Sequence, residues 1–338
     1  MVINEVTQML DILEERFDGT ALQHSNTSVR SRAWSMLRFH IKNANASKGG
    51  SRTRQDYCSK FNHFMHDCQK MEIKEMVAFL QGVEESLAQL LAAATGRTPM
   101  DPRLDRLYHA VAAQRPPSEW RWGGAAAVEA EEEGGLVRPG AGGGAYGDKP
   151  LRQWLEDVLE RADYLLKWKR NGIVVHELSM LFRPKRFLSA VLHDFSCKTR
   201  SSMSSLSFHT KLYKGSDPPE MQPDKGVYIG GLLMQAGMID PKTRLLVDLP
   251  PDSNGYSKMP ILHLVPEANY TPDARHVAVP MYQPVPSPFP EHGGGGGGSK
   301  GAPDLRRVGS LHLETGRSAQ HWLLRGLLVL VGADADAA

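Results

Sequence analysis

Several groups of side chains in this sequence have types and spacings that could do chemistry. His63 and His66 stand at i,i+3, which places them on one face of a helix, and Cys68 follows closely. Imidazole and thiolate are zinc ligands, but Cys68 falls off the shared face and no fourth ligand follows at a usable spacing. Glu156, Asp157 and Glu160 offer paired carboxylates, the groups that general acid–base catalysis uses. They lie opposite an apolar helical stripe, so a solvated face accounts for them. Gly293–Gly298, followed by Ser299 and Lys300, has the glycines of a phosphate loop. Such a loop needs Gly-Lys-Ser/Thr opening a helix after a strand. Here Ser precedes Lys and Gly-Ala-Pro follows, so the stretch reads as low complexity.

Two further patterns fall short. Gly226-Val-Tyr-Ile-Gly-Gly lacks the G-x-G-x-x-G spacing and the acidic residue of a dinucleotide site. Its Gly230-Gly231 pair, inside an apolar run, reads as a bulge or a bend in a sheet. Ser and His are plentiful, yet no G-x-S-x-G elbow sits between a strand and a helix. The basic set Lys167, Lys169, Arg170, Arg183, Lys185 and Arg186 could meet an acidic partner such as tubulin, a ring module or nucleic acid, but a solvated, partner-neutral surface is the expected reading. Without interleaved aromatics for base stacking, nucleic acid is disfavoured. The expectation is therefore no catalytic, cofactor-binding or metal residue, and no cofactor in this protein.

The elements that would position these residues change character along the sequence. With 338 residues it can bury a sizeable core in one large or two ordinary domains. A net charge of +2 gives no general pull toward nucleic acid or acidic membrane. Three cysteines, Cys58, Cys68 and Cys197, are too few and odd in number for a disulfide scaffold. No apolar run approaches the roughly 20 residues of a membrane helix, so no membrane partner is expected.

Helical periodicity predicts helices over Ile3–Phe17, Gln55–Gln69 and Glu72–Ala94, with a weaker one over Ser31–Ile41. Gly96 would cap the third. Asp101 with Pro102 would open another, ending near Gln114. Arg121–Gly147 is rich in Gly, Ala and Glu and too poor in large apolar residues to offset ordering entropy, so disorder is expected. After it, Leu151, Trp154, Leu155, Val158, Leu159, Ala162, Leu165 and Leu166 make the strongest stripe. A further helix is expected over Pro184–Cys197. Beyond Ser201 short β-like runs follow: Leu206–Tyr213, Val227–Met234, Arg244–Val247, Ile261–Val265, Val277–Tyr282 and Trp322–Val331. Helices first and strands later predict an α+β fold, and several short strands at this spacing suggest a small sheet or barrel.

One stretch carries a resemblance. Gly226-Val-Tyr-Ile-Gly-Gly-Leu-Leu-Met-Gln-Ala-Gly-Met-Ile-Asp240 resembles the "GVY-hydrophobic-x-GL-x-x-x-GA-x-WD" signature in the C-terminal region of dynein heavy chains, and Met259-Pro-Ile-Leu-His-Leu264 resembles the strand that follows it. Other pieces occur in family order. Phe61-Asn62, Gly82 and Ser86 resemble "RFN…KG-x-x-x-x-S"; Pro117 and Trp120 resemble "P-x-x-W". Pro150-Leu151, Trp154, Asp157, Leu159, Arg161 and Trp168 resemble "PL-x-x-W-x-x-D-L-x-x-R…W", with the Leu displaced by one. Phe182, Pro184, Phe187-Leu188 and Val191-Leu192 resemble "F-x-x-P-x-x-FL-x-x-VLQ". Val279–Tyr282, Gly309–Leu311 and Thr315-Gly316 resemble "CPVY", "GTL" and "TG". The sequence departs from the family at Ile239, where a Trp is usual, at Ala278-Val279 in place of the Cys, and in two insertions.

The resemblance implies a division into 1–20, a helix like the tail of the last AAA+ module; 21–54, a linker with a weak helix; 55–120, a helical subdomain; 121–147, an insertion; 148–200, a second helical subdomain; 201–331, the barrel-like domain with a Gly-rich insert at about 284–305; and 332–338, a tail. Because the first helix resembles the end of a longer module, a truncated product is expected. The resemblance also implies a fold, an N-terminal helical bundle followed by a small antiparallel β-barrel-like domain, and a role. The domain would lie on the AAA+ ring of a dynein heavy chain, in cis or in trans, among other dynein subunits. It would touch microtubules only indirectly, in the cytoplasm and cytoskeleton or in a cilium, and would hydrolyse no ATP itself. The rival expectation is a stand-alone module that binds microtubules or axonemal proteins directly.

Overall fold

The computed structural model describes residues 4, 6, 7, 9, 63–120, 150–215, 217–250, 253, 255–285 and 304–332. The expected helix over Ser31–Ile41, most of Ile3–Phe17, the start of Gln55–Gln69, and the segments Arg121–Gly147 and Gly293–Gly298 lie outside the described residues. The protein forms two compact units. One draws its described residues from 70–120 and 150–166, with the four N-terminal positions; the other draws on 63–69 and 167–332.

The first unit is helical. Helix α1 (His63–Ala94) contributes Ile73, Met76, Val77, Leu80, Val83, Leu87 and Leu90 to its core. Two helices were expected where one runs through. No Gly or Pro interrupts Gln69–Glu72, and burial resumes at Glu72 and Ile73 without a break in phase. The helix ends as expected, at Gly96: its φ is +75°, its N–H reaches Ala93 O, and Arg97 N–H reaches Ala92 O. Helix α2 (Pro102–Ala112) starts with the expected cap. The Asp101 carboxylate accepts from Leu104 N–H at 2.7 Å, and Pro102 fills the first position. In helix α3 (Leu151–Asn171), Leu151, Leu155, Val158, Leu159, Ala162 and Leu165 are buried as the stripe predicts. Each large side chain so buried stabilises by about 1.5–3 kcal/mol.

The second unit is mostly sheet. Strands β1 (Val175–Glu177), β2 (Leu206–Leu212), β3 (Val227–Gly230) and β8 (Leu262–Ala268) order as β1-β3-β8-β2. Strands β4 (Leu232–Gln235), β7 (Tyr256–Lys258), β9 (His276–Val285), β10 (Asp304–Glu314) and β11 (Leu328–Val331) order as β10-β9-β11-β4-β7. The short pair β5 (Gly237–Ile239) and β6 (Leu246–Asp248) stands apart. Helix α4 (Pro184–Thr199) buries Phe187, Leu188, Ala190 and Val191. Helix α5 (Ala319–Arg325) precedes the last strand.

The α+β class holds, but the barrel-like closure does not. Among the described residues every sheet is open: β1 and β2 edge the first, β10 and β7 the second. Gly231, at φ +69°, turns the backbone between β3 and β4 and hands it from the first sheet to the second. At the seam between edges β2 and β10, His312 N–H donates to the Thr210 hydroxyl at 3.2 Å rather than to a backbone carbonyl.

The expected strand Trp322–Val331 is half wrong. Ser318 accepts from His321 N–H and Gly326 adopts φ +68°, so a helix is bracketed over Ala319–Arg325 before β11 begins. Strand β10 has no counterpart among the expected runs. A register shift between Arg307 and Gly309 breaks the alternation by which a strand is read.

Candidate functional site

The residues that carry the sequence motifs meet one another. In the helical unit, Trp120 Nε1 donates to Ser86 Oγ at 2.7 Å, and Ser86 Oγ donates to Val83 O at 2.8 Å. Trp120 stacks on Trp154 with centroids 5.4 Å apart, and Phe79 meets Trp154 edge-on at 6.2 Å. Three motif residues from three segments thus form one joint.

In the sheet unit, the motif glycines mark close approaches. At Gly226 (φ +76°) a Cβ would lie 1.9 Å from Leu264 O, in the strand that follows the signature. At Gly231 it would lie 2.5 Å from Glu177 Oε2 and 2.7 Å from Ser179 Oγ. The expected bend at Gly230-Gly231 is therefore present, as a corner between sheets.

A second joint lies at the end of β10. Thr315 Oγ1 donates to Leu246 O at 3.0 Å and accepts from Trp322 Nε1 at 3.1 Å and from Arg317 N–H at 3.2 Å. Beside it, Asp248 Oδ1 sits 2.7 Å from His321 Nε2 and 3.7 Å from Arg325, while Oδ2 sits 3.5 Å from Arg317 Nε. The His321 hydrogen bond holds the Asp248 carboxyl below the usual carboxylate range, and Arg325 and Arg317 add to it. This cluster pins α5 to β6. Sequence reasoning missed it, because it placed Trp322 in a strand. The bracket Ser318…Gly326 was the available signal.

Three other features are confined to the sheet unit. His176 is wholly enclosed between Trp168, at 5.2 Å, and Phe187, at 4.7 Å. Its Nδ1 has no hydrogen-bond partner, and burial lowers its pKa to about 3. His209 stacks on Tyr270 at 4.7 Å, and Tyr270 meets His312 at 5.6 Å. Burial, then Lys211, pushes His209 below its ordinary value, against the pull of Glu267. A cavity of about 180 Å³ lies under α4, lined by Leu188, Leu192, Phe208, Leu264 and Leu311, with Lys185 beside it.

The sequence candidates fare as follows. His63 is exposed and pairs with Asp67 at 3.0 Å, His66 is exposed, and Cys68 is buried, so the three do not converge. Among the described residues no group of three His, Cys, Asp or Glu side chains is placed to hold a metal. Glu156 pairs with Arg152 at 3.4 Å on the exposed face of α3. Of the basic set, Lys167 and Arg170 are exposed, Lys185 lines the cavity, and Arg183 lies close enough to Arg306 to lower it further after burial does so. Ser299 and Lys300 lie outside the described residues. No helix among the described residues is long and apolar enough to cross a membrane.

These joints define an α+β module whose motif residues fasten segments together. A family model described as the C-terminal domain of the dynein heavy chain matches residues 3–331, and the protein belongs to that family. Among similar proteins, Dynein axonemal heavy chain 1 of Homo sapiens is 28% identical over 189 residues, covering 55% of this sequence and 4% of that protein. Dynein axonemal heavy chain 5 of Mus musculus is 23% identical over 267 residues, or 77% of this sequence and 5% of that one. The Dynein alpha chain, flagellar outer arm, of Chlamydomonas reinhardtii is 24% identical over 200 residues, or 58% and 4%. The matched region is thus a small part of each relative's length.

Proposed function

We propose that this protein is a non-catalytic C-terminal part of a dynein heavy chain. It packs on an AAA+ motor ring and modulates microtubule-based movement within a dynein complex. The observation that carries the reading is the family match over residues 3–331. The joints support it: Ser86, Trp120, Trp154, Gly231 and Thr315 serve to hold shape, which is what a rigid accessory body on a motor requires. The names of the relatives, axonemal and flagellar, point to the cytoskeleton of a cilium or flagellum. ATP would be handled by other parts of the heavy chain, and this part would carry no cofactor of its own.

The test is to purify the full-length protein and assay ATP hydrolysis alone, then add it to a dynein motor fragment lacking its own C-terminal domain. The protein alone gives no turnover above buffer, and the motor fragment's microtubule-stimulated rate changes on its addition. Hydrolysis by the isolated protein overturns the non-catalytic reading. Direct co-sedimentation with microtubules in the absence of any motor fragment would favour the stand-alone module instead.

A further inference from the structure

Helix α5 presents two leucines to solvent. Leu323 and Leu324 are each 81% exposed, whereas Trp322 beside them is 1% exposed. A helix of 7 residues does not hold itself in water. This one is held by the rest of its unit. Ser318 caps its start and Gly326 its end, Trp322 is anchored on Thr315, and Asp248 takes His321, Arg317 and Arg325. The two leucines are therefore displayed on a fixed frame, and little ordering remains to be done on binding.

The rim of this display is basic. Arg317 and Arg325 keep side-chain exposures of 63% and 54%, and the two guanidinium groups share a single carboxylate, Asp248. With His321 neutral the cluster still carries a net positive charge, and with His321 protonated it carries more.

We infer that Leu323 and Leu324 form a docking knob, and that its occupant is an apolar groove rimmed with acidic side chains on the motor part of a dynein heavy chain. The inference rests on the ring-packing reading above and names the surface that does the packing. The basic rim selects an acidic partner. A second copy of this protein is disfavoured, because a two-fold contact through the knob brings two basic rims together. The matched region is 4% of the human relative, so the great bulk of such a heavy chain lies outside this structure and is available to cover the knob.

The experiment compares the full-length wild type with Leu323→Ser/Leu324→Ser and with Arg325→Ala. The probe is the motor portion of human Dynein axonemal heavy chain 1, lacking the region this sequence matches. Affinity is read by biolayer interferometry at low and high salt, with thermal melts alongside. The wild type binds, and its affinity falls as salt rises. The double leucine variant binds at least about tenfold more weakly, a factor worth about 1.4 kcal/mol, with an unchanged melting midpoint, since both side chains are exposed. Arg325→Ala binds more weakly and loses part of the salt dependence. If the wild type binds and the leucine variant binds equally well, the knob is wrong while the ring reading stands. If the wild type does not bind, the ring reading fails and the knob falls with it. Leucine-dependent dimerisation in sedimentation velocity, or leucine-dependent pelleting with microtubules, overturns the occupant.

Discussion

The enclosed imidazole of His176 makes a quantitative prediction. In the unfolded state it titrates near 6.5, and in the fold burial lowers it to about 3. The native state thus binds fewer protons than the unfolded one across that interval. Its contribution to stability is intact above pH 6.5 and is lost as the pH falls toward 3. Each pH unit inside the window costs at most about 1.4 kcal/mol. Between pH 7 and about pH 4.5 the loss from this one group comes to about 2.5 kcal/mol. His176→Phe removes the titration and keeps an aromatic ring between Trp168 and Phe187. It also deletes the unpartnered Nδ1, whose burial carries a cost of about 1–3 kcal/mol. Urea denaturation of the full-length protein at both pH values, followed through the sheet unit's near-ultraviolet signal, measures the difference. The wild type should lose about 2.5 kcal/mol more than the variant on acidification. Labelled-histidine NMR gives a direct second readout, with His176 staying neutral to about pH 4. A His176 resonance that titrates near 6.5 in the folded protein, or parallel acid losses in both proteins, would refute the argument.

Gly231→Ala should destabilise the sheet unit by more than the about 1–2 kcal/mol of a left-handed backbone alone, because the new Cβ meets Glu177 and Ser179; chemical denaturation reads it. Ser86→Ala strands the Trp120 indole N–H and should cost about 1–3 kcal/mol, whereas Ser86→Ala/Trp120→Phe should cost less than the sum of the single changes in a double-mutant cycle. Asp194 accepts from Phe64 N–H and Met65 N–H, each at 3.1 Å, and so caps the start of α1 from another helix. Asp194→Ala should cost about 1–2 kcal/mol and accelerate hydrogen exchange in the first turn of α1.

The helices were legible because their signals are local. The buried stripe of α3, the Asp101-Pro102 start of α2 and the Gly96 stop of α1 each follow from a few neighbouring residues. The strands were legible where apolar residues alternate, as in β2, β8 and β9. They were not where a bulge shifts the phase, as in β10, or where three residues make a strand only by pairing at a distance, as β1 does with β3. The Gly231 corner was legible as a bend, but not as a transfer between two sheets, since that depends on which strands lie beside it. Asp194 illustrates the deeper limit. The first turn of α1 has no acidic residue of its own, and the carboxylate that answers its N–H groups comes from a distant helix that no window along the sequence connects to it.

The position of β11 carries a consequence for biosynthesis. It is the last of the five strands of its sheet to be translated, yet it lies in the middle, parallel to β9 through Val329 and Leu330 and antiparallel to β4 through all four of its residues. As the polypeptide leaves the ribosome, β4 with β7 and β9 with β10 can pair locally, but a strand-wide slot separates the two halves. The inner edges of both halves, with their unpaired N–H and C=O groups, stay open until Leu328–Val331 emerges. Every residue of that strand is buried, so the slot is apolar as well as polar-edged. The sheet can therefore be completed only after β11 has emerged. In the interval before then, a chaperone or any extended apolar segment nearby competes for the place that the nascent polypeptide's own strand will take.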